Sequence, residues 1–157
     1  MNTFTSWRNQ ELRKGRHSIP GIYYHITVVS YKRQPILAND EAASTIFGAF
    51  DWLEAEGRIK WLCIMIMPDH LHTVIQLGES HTLPKVLQSL KRFTAREFNK
   101  QQERIGHLWQ RGYSDFGIRN DDALNNTISY CYENPVRKGL VKTAKGYPYW
   151  RCKYEME

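Results

Sequence analysis

Two histidines, His70 and His72, stand one residue apart in a run of strand-forming residues. Residues i and i+2 of a β-strand point to the same face of a sheet, so both imidazoles are expected to face the same way. Neutral imidazole is a common metal ligand. The pair therefore predicts a metal site on a rigid strand, although most such pairs in soluble chains are packed or exposed histidines that bind no metal.

The surroundings of the pair favour the metal interpretation. The histidines follow a tight turn at Pro68 and Asp69 and stand among apolar residues, where an unpaired polar ring costs free energy. Two ligands are too few for a metal site. A third ligand and a contact to substrate must therefore come from elsewhere in the chain.

Composition indicates one basic domain, spanning residues 1–157. The net charge of +6 favours a polyanionic partner, and nine Tyr and five Trp suit base stacking on single-stranded nucleic acid or, equally, an aromatic core. Three cysteines without a CxxC spacing predict neither a disulfide framework nor a Cys-ligated zinc. The sequence contains no stretch apolar enough for a leader or a membrane span, so we expect a cytosolic protein with no membrane partner.

The hydrophobic pattern predicts the order strand, helix, strand, strand, helix, strand. The strands are expected at 22–30, 59–67, 70–77 and 112–119, and the helices at 40–56 and 83–103. Asn39 or Asp40 can cap the first helix, and Gly57 can end it. This order is typical of an α+β fold with a ferredoxin-like or RRM-like antiparallel sheet. Helices would cover one face, and the histidines would lie on the other.

The second helix has an apolar stripe and a basic flank. The stripe predicted to enter the core is Leu83, Val86, Leu87, Leu90 and Phe93. The flank, Lys85, Arg92, Arg96 and Lys100, spans roughly 80° of the helix. It can follow a phosphate backbone, or it can simply be a solvated surface.

A third helix is predicted over 121–135, capped by Asn120 and ended by Pro135. Tyr130 and Asn134 are four residues apart, so they share one face of this helix. If that face meets the histidine strand, the site gains a hydroxyl nucleophile and an amide oxygen ligand.

Four motifs together give the chain a resemblance to a known family. They are Arg13-Lys14-Gly15-Arg16, Met67-Pro68-Asp69-His70-Leu71-His72, Leu108-Trp109-Gln110-Arg111, and Tyr130-Cys131-Tyr132-Glu133-Asn134-Pro135-Val136-Arg137-Lys138-Gly139-Leu140-Val141. The chain resembles the HUH single-tyrosine transposases, and more closely the REP-associated tyrosine transposases of bacteria. The resemblance implies metal-dependent cleavage of single-stranded DNA in the bacterial cytoplasm, by a protein associated with the nucleoid.

The resemblance also implies roles for individual residues. Tyr130 would be the nucleophile, and His70, His72 and Asn134 would hold Mg²⁺ or Mn²⁺. Tyr132 is the rival nucleophile, but two residues along a helix turn the side chain by about 200°, so it cannot share a face with Tyr130. The base that would assist attack is left open among His25, Asp115 and His107; Asp115 stands where the family usually has a histidine or a similar polar group.

The expected DNA partner is a hairpin of a REP-type palindrome with an adjacent single-stranded sequence. The basic arm within residues 1–20 would contact base edges, through Arg13, Lys14, Arg16 and His17. Phosphates would be bound by Arg92, Arg96 and Lys100, with Arg137 and Lys138 as further candidates. Strand cleavage through a 5′-phosphotyrosine would leave a 3′-hydroxyl that can rejoin strands.

Two other functions are compatible with parts of the sequence. A non-catalytic RRM-like module would bind single-stranded nucleic acid without metal or Tyr130. A two-histidine phosphodiesterase is suggested by His25-Ile26-Thr27, but a second His-x-Thr is missing. The residues do not decide between a monomer and a dimer with shared active sites; the resemblance to the REP-associated group favours a monomer.

Overall fold

The structure, a computed structural model, describes residues 18–156. A five-stranded antiparallel sheet forms its centre, with the strand order β4-β1-β3-β2-β5. The strands are β1 (Tyr23–Val29), β2 (Ile59–Ile66), β3 (His70–Leu77), β4 (Ser114–Ile118) and β5 (Trp150–Cys152). The first four strands have the predicted order of a ferredoxin-like sheet, so the predicted α+β fold is confirmed.

The helices are α1 (Asp40–Ala55), α2 (Leu83–Gln102), α3 (Asp121–Tyr132) and the short α4 (Asn134–Arg137). The predicted caps form: the side chain of Asn39 accepts from the backbone N–H of Ala42, and that of Asn120 accepts from Ala123. Gly57 follows α1 with φ of +74°, a left-handed conformation that glycine adopts without strain.

Alternation along the strands separates two apolar layers. On one face, Tyr24, Ile26 and Val28 of β1 are fully buried in a core that includes the apolar sides of α1 and α2. On the other face, Cys63 and Val74 belong to a smaller apolar cluster beneath α3. The sheet is therefore covered by α1 and α2 on one side and by α3 on the other.

Three details differ from the predicted pattern. Phe93 was predicted to lie in the core, but it is 38% exposed, because the buried stripe of α2 continues instead through Thr94 and Phe98. The predicted helix over 121–135 is interrupted at Glu133, where α3 ends and α4 begins. The three-residue β5 was not predicted. Among the described helices, none is both long enough and apolar enough to cross a membrane.

Candidate metal and nucleophile site

His70 and His72 lie side by side on the face of β3 that α3 covers. Both are buried, and their ring centroids are 4.9 Å apart with the planes at 90°. β3 is hydrogen-bonded along both edges, to β1 on one side and to β2 on the other. The strand period therefore places two imidazoles at one point of a rigid scaffold, as the sequence predicted.

His70 is oriented by the residue before it. Its Nδ1 lies 2.7 Å from Oδ1 of Asp69, whose other oxygen accepts from Nη1 of Arg33 at 3.2 Å. Burial raises the pKa of Asp69, but the hydrogen bonds and charges of His70 and Arg33 outweigh it and lower that pKa. An ionised Asp69 accepts the Nδ1 proton of His70. The lone pair of the imidazole is then on Nε2, the atom left for a metal.

His72 is oriented from the neighbouring strand. Its Nδ1 lies 3.0 Å from both Nε2 of His25 and Oγ1 of Thr27. These contacts follow from the register of β1 against β3, in which Thr27 stands opposite His72. Burial, followed by the charges of His25 and His70, lowers the pKa of His72 to about 2, and burial lowers that of His25 to about 4. Both rings are therefore neutral at pH 7.

Asn134 reaches the same point from the junction of α3 and α4. Its Nδ2 lies 3.4 Å from Nε2 of His72, and the residue is only 2% exposed. Its Oδ1 is buried and has no hydrogen-bond partner among the described residues. A buried amide oxygen without a partner costs free energy, and a cation would satisfy it. Two imidazole nitrogens and this oxygen thus form a donor set that fits a divalent ion.

Tyr130 stands beside this donor set on α3 and is 49% exposed. Its ring centroid is 6.0 Å from that of His72 and 6.3 Å from that of His25. The guanidinium carbon of Arg137 lies 3.7 Å from the centre of the Tyr130 ring, and Nη2 of Arg137 donates to the Tyr130 carbonyl at 2.7 Å. The phenol is therefore accessible to a substrate while its ring is held by a cation.

The rival nucleophile points elsewhere. Tyr132 packs its ring on Trp150 of β5, with centroids 5.3 Å apart. It lines a surface cavity of about 520 Å³ together with Lys145, Tyr147 and Cys152. The predicted rotation about the helix is confirmed, because one tyrosine of the pair lies by the histidines and the other by the sheet edge.

Of the three residues considered as a base, only His25 lies on the site face. Asp115 is opposite Ile26 in the pairing of β1 with β4, so it shares the face of Ile26, towards α1 and α2. The suggestion that Asp115 assists Tyr130 is therefore wrong on geometry. His107 packs against the ring of Tyr31, with centroids 5.2 Å apart, in a cavity bordered by α2.

Cys131 adds a sulfur to the site that sequence reasoning did not assign. Its Sγ lies 3.9 Å from Nε2 of His25, and the donor atoms of His25, His72 and Cys131 all lie within 4.8 Å of one another. Such a group can hold a metal ion. Part of this group could have been found from the sequence, because the strand period places His25 and Thr27 on one face of β1. The register of β1 against β3 was also needed, and the sequence does not give it.

Arg137 and Lys138 are exposed beside the candidate site, and the other predicted DNA-binding residues belong to helix α2 or to the N-terminal arm. Lys85, Arg92, Arg96 and Lys100 are all exposed along α2, on the opposite side of the sheet from the histidines. Arg96 also covers the exposed ring of Phe93, with its guanidinium carbon 6.0 Å from the ring centre. The arm residues Arg13, Lys14, Arg16 and His17 lie outside the described residues.

Comparison with known families supports the resemblance noted from the motifs. The family model described as "Transposase IS200 like" matches residues 18–134. That range contains β1 to β4, α3 and all four residues of the candidate site, His70, His72, Tyr130 and Asn134.

Individual relatives carry transposase names. A REP-associated tyrosine transposase of Haemophilus influenzae is 36% identical over 98 residues, which are 56% of this chain and 56% of that protein. The match thus spans little more than half of that relative. The ISDra2 transposase TnpA of Deinococcus radiodurans is 26% identical over 110 residues, 66% of this chain and 77% of its own length.

A solved structure shares the fold. It is that of a REP-associated tyrosine transposase bound to a REP hairpin, and it superposes with a TM-score of 0.71 at 20% identity. The superposition covers 96% of this chain and 82% of the other. At this identity the likeness establishes a common architecture.

Proposed function

Since the chain belongs to the IS200-like transposase family, we propose that it cleaves and rejoins single-stranded DNA with Tyr130 as nucleophile and a divalent ion as cofactor. One observation carries the proposal. The family's histidine pair, a buried amide oxygen without a partner and a half-exposed phenol meet on one face of the sheet. A module that only bound nucleic acid would need none of these groups at one point.

His70, His72 and Asn134 would hold the ion through Nε2, Nε2 and Oδ1. When bound, a divalent ion polarises the scissile phosphate and offsets the negative charge that develops on it. Imidazole nitrogens together with an amide oxygen can hold Zn²⁺, Mn²⁺ or Mg²⁺, and the resemblance to the family favours Mg²⁺ or Mn²⁺. The protein orients the donors: Asp69 would accept a hydrogen bond from Nδ1 of His70, and His25 or Thr27 would accept one from Nδ1 of His72.

Tyr130 would then attack phosphorus with its phenolic oxygen. The phenol gives up its proton as a bond forms between its oxygen and phosphorus. The bond from phosphorus to the 3′ oxygen of the preceding nucleotide breaks, and that oxygen gains a proton and leaves as a 3′-hydroxyl. The product is a 5′-phosphotyrosine. Because one phosphoester replaces another, a 3′-hydroxyl can reverse the step and rejoin strands.

Arg137 would contribute to the same step. Its guanidinium holds the Tyr130 ring by a cation–π contact before substrate arrives. It is exposed next to the nucleophile, where it can also pair with a phosphate oxygen of the substrate strand. Either contact would keep the phenolic oxygen and phosphorus close together.

The substrate class proposed is a DNA hairpin of the REP type with a single-stranded flank. The name of the Haemophilus relative and the hairpin held by the solved relative support this choice. The exposed basic flank of α2, Arg92, Arg96 and Lys100, would bind phosphates. The arm at Arg13, Lys14, Arg16 and His17 would contact bases. We favour a monomeric, nucleoid-associated protein.

The test is a cleavage assay with hairpin oligonucleotides built from repeats of the source genome, analysed on a denaturing gel. Wild type should give a covalent protein–DNA band with Mn²⁺ or Mg²⁺ and none with EDTA. His70→Ala should lose the band, and a hairpin of scrambled sequence should give little of it. Hairpin binding that is equal with and without metal, and never yields a covalent band, would instead support the non-catalytic RRM-like module.

A further inference from the structure

A second set of metal donors lies on the opposite side of the His72 ring from Asn134. His72 is shared by the two sets: its Nε2 faces Asn134, while its Nδ1 faces Nε2 of His25 and, beyond it, Sγ of Cys131. Cys131 is fully buried, and Cys63 lies in the same apolar cluster, where burial and then the neighbouring Cys131 raise the pKa of its thiol. The second set therefore has two nitrogens and a sulfur, with another sulfur adjacent.

Two of the three spacings in this second set are close to those of a tetrahedral zinc site, and all three donor atoms lie within 4.8 Å of one another. Zn–N distances of about 2.0 Å and Zn–S distances of about 2.3 Å separate two nitrogens by about 3.3 Å, and a nitrogen from a sulfur by about 3.6 Å. The nitrogens of His25 and His72 are 3.0 Å apart, and His25 Nε2 is 3.9 Å from Cys131 Sγ. Both differ from the tetrahedral values by only a few tenths of an ångström.

We infer that His25, His72 and Cys131 form a second, thiophilic metal site that binds ions of the Zn²⁺ and Cd²⁺ class and switches off the first. Thiolate and imidazole are the donors such ions prefer, whereas Mg²⁺ and Mn²⁺ prefer oxygen. On binding, the ion replaces the thiol proton of Cys131, which is released to solvent, and accepts lone pairs from His25 and His72.

The two sites exclude each other because His72 is one ring. A neutral imidazole carries one proton and one lone pair, on different nitrogens. With the proton on Nδ1, the ring donates to His25 or Thr27 and offers Nε2 to the first ion. An ion at the second site needs the lone pair on Nδ1, so the proton moves to Nε2 and the first ion loses a ligand. The identity of the metal thus decides whether the site is active.

The binding experiment uses Cd²⁺ as the probe and follows the ultraviolet charge-transfer absorption of a Cd–thiolate bond. Wild type should reach its plateau at one equivalent of Cd²⁺. Cys131→Ala should lose the band; alanine is chosen because its methyl group suits the apolar cluster beneath α3. Cys152→Ser is the matched control, since Cys152 lies opposite Cys63 at the edge of the sheet and outside the donor set. It should keep the band.

Mutual exclusion of the two metals is measured separately. Cd²⁺ is added to the Mn²⁺-loaded protein, and the released Mn²⁺ is followed by its electron paramagnetic resonance signal. Cys131→Ala should need about tenfold or more Cd²⁺ for the same release. This part rests on the proposed function, but the Cd²⁺ band does not. His70→Ala should lose Mn²⁺ binding and keep the band, so failure of the first site can be told from failure of the second.

An equal band in Cys131→Ala, or loss of the band in Cys152→Ser, would overturn the second site. Equal Cd²⁺ requirements for Mn²⁺ release in wild type and Cys131→Ala would overturn the mutual exclusion of the two metals. Melting temperatures of the metal-free variants are measured first, and the band is compared only among variants that are folded.

Discussion

Nδ1 of His72 and Nε2 of His25 lie 3.0 Å apart across the β1–β3 pair. With the proton of His72 on Nδ1, the ring donates to His25 or Thr27, and its lone pair lies on Nε2, facing Asn134. A fixed direction of the imidazole proton leaves the lone pair of each histidine free for a metal, so the hydrogen-bond partner of the other ring nitrogen matters. His25 is therefore a positioning residue for the proposed ion, and its removal should weaken metal binding more than it lowers the stability of the fold.

His25→Ala should weaken Mn²⁺ binding by about 10- to 100-fold, the usual effect of losing a hydrogen-bond partner of a metal-bound histidine. Thr27 still accepts from His72 Nδ1 in this variant, so binding should not vanish. Isothermal titration with Mn²⁺ measures the effect. His81→Ala is the matched control, since His81 lies in the loop before α2 and contacts Ser80. Equal losses in the two variants would refute the positioning role.

Asn134 can be tested by exchanging its amide for a carboxylate. Asn134→Asp should lower the melting temperature in EDTA, because a buried charge has no partner there, and Mn²⁺ should raise that temperature by more than it does in wild type. Asn134→Ala should show little response to Mn²⁺. Asn125→Asp, an exposed position on α3, is the control and should behave like wild type in both conditions. A strong Mn²⁺ response in Asn134→Ala would remove this residue from the ligand set.

Arg137 should matter to the rate of covalent attachment more than to DNA affinity. A cation–π contact at an exposed site contributes about 0.5–1 kcal/mol, which corresponds to a two- to fivefold slower single-turnover rate in Arg137→Ala. Lys138→Ala removes the same charge from the next position without touching the Tyr130 ring. If both variants slow the reaction equally, the contribution of Arg137 is one of general charge rather than of contact with the nucleophile.

The basic flank of α2 should act through phosphates. Replacing Arg92, Arg96 and Lys100 together by glutamine should weaken hairpin binding at all sequences and reduce the slope of log K against log salt by about 2. Lys60→Gln changes an exposed charge on β2 and should leave the slope unchanged. Variants of Arg13, Lys14, Arg16 and His17 should instead lose preference for the hairpin sequence. A triple variant with an unchanged slope would show that DNA does not follow this helix.

The parts of the fold that the sequence predicts well are those whose pattern is long. Eight-residue β2 and β3 and twenty-residue α2 repeat their periods several times, and their predicted bounds differ from the observed ones by at most one residue. The three residues of β5 carry no such repeat. Phe93 was misplaced because the apolar stripe was continued from Leu90 to Phe93, whereas the buried side of α2 runs on through Thr94 and Phe98.

The candidate site shows the same division between local and non-local information. The shared face of His70 and His72 is a property of one strand, and the opposite directions of Tyr130 and Tyr132 are a property of one helix. The contact of His72 with His25 depends on the register between two strands far apart in sequence. The exclusion of Asp115 depends on the pairing of β4 with β1. Neither register is encoded in a local period.

The proposed function requires that Tyr130 becomes covalently joined to DNA. The most direct measurement is tandem mass spectrometry of the protein–DNA adduct formed by wild type with a hairpin oligonucleotide and Mn²⁺, supported by Tyr130→Phe and Tyr132→Phe on denaturing gels. We expect a nucleotide on Tyr130, loss of the adduct in Tyr130→Phe, and an adduct that persists in Tyr132→Phe. A nucleotide found on Tyr132, or an adduct that survives in Tyr130→Phe, would contradict this expectation.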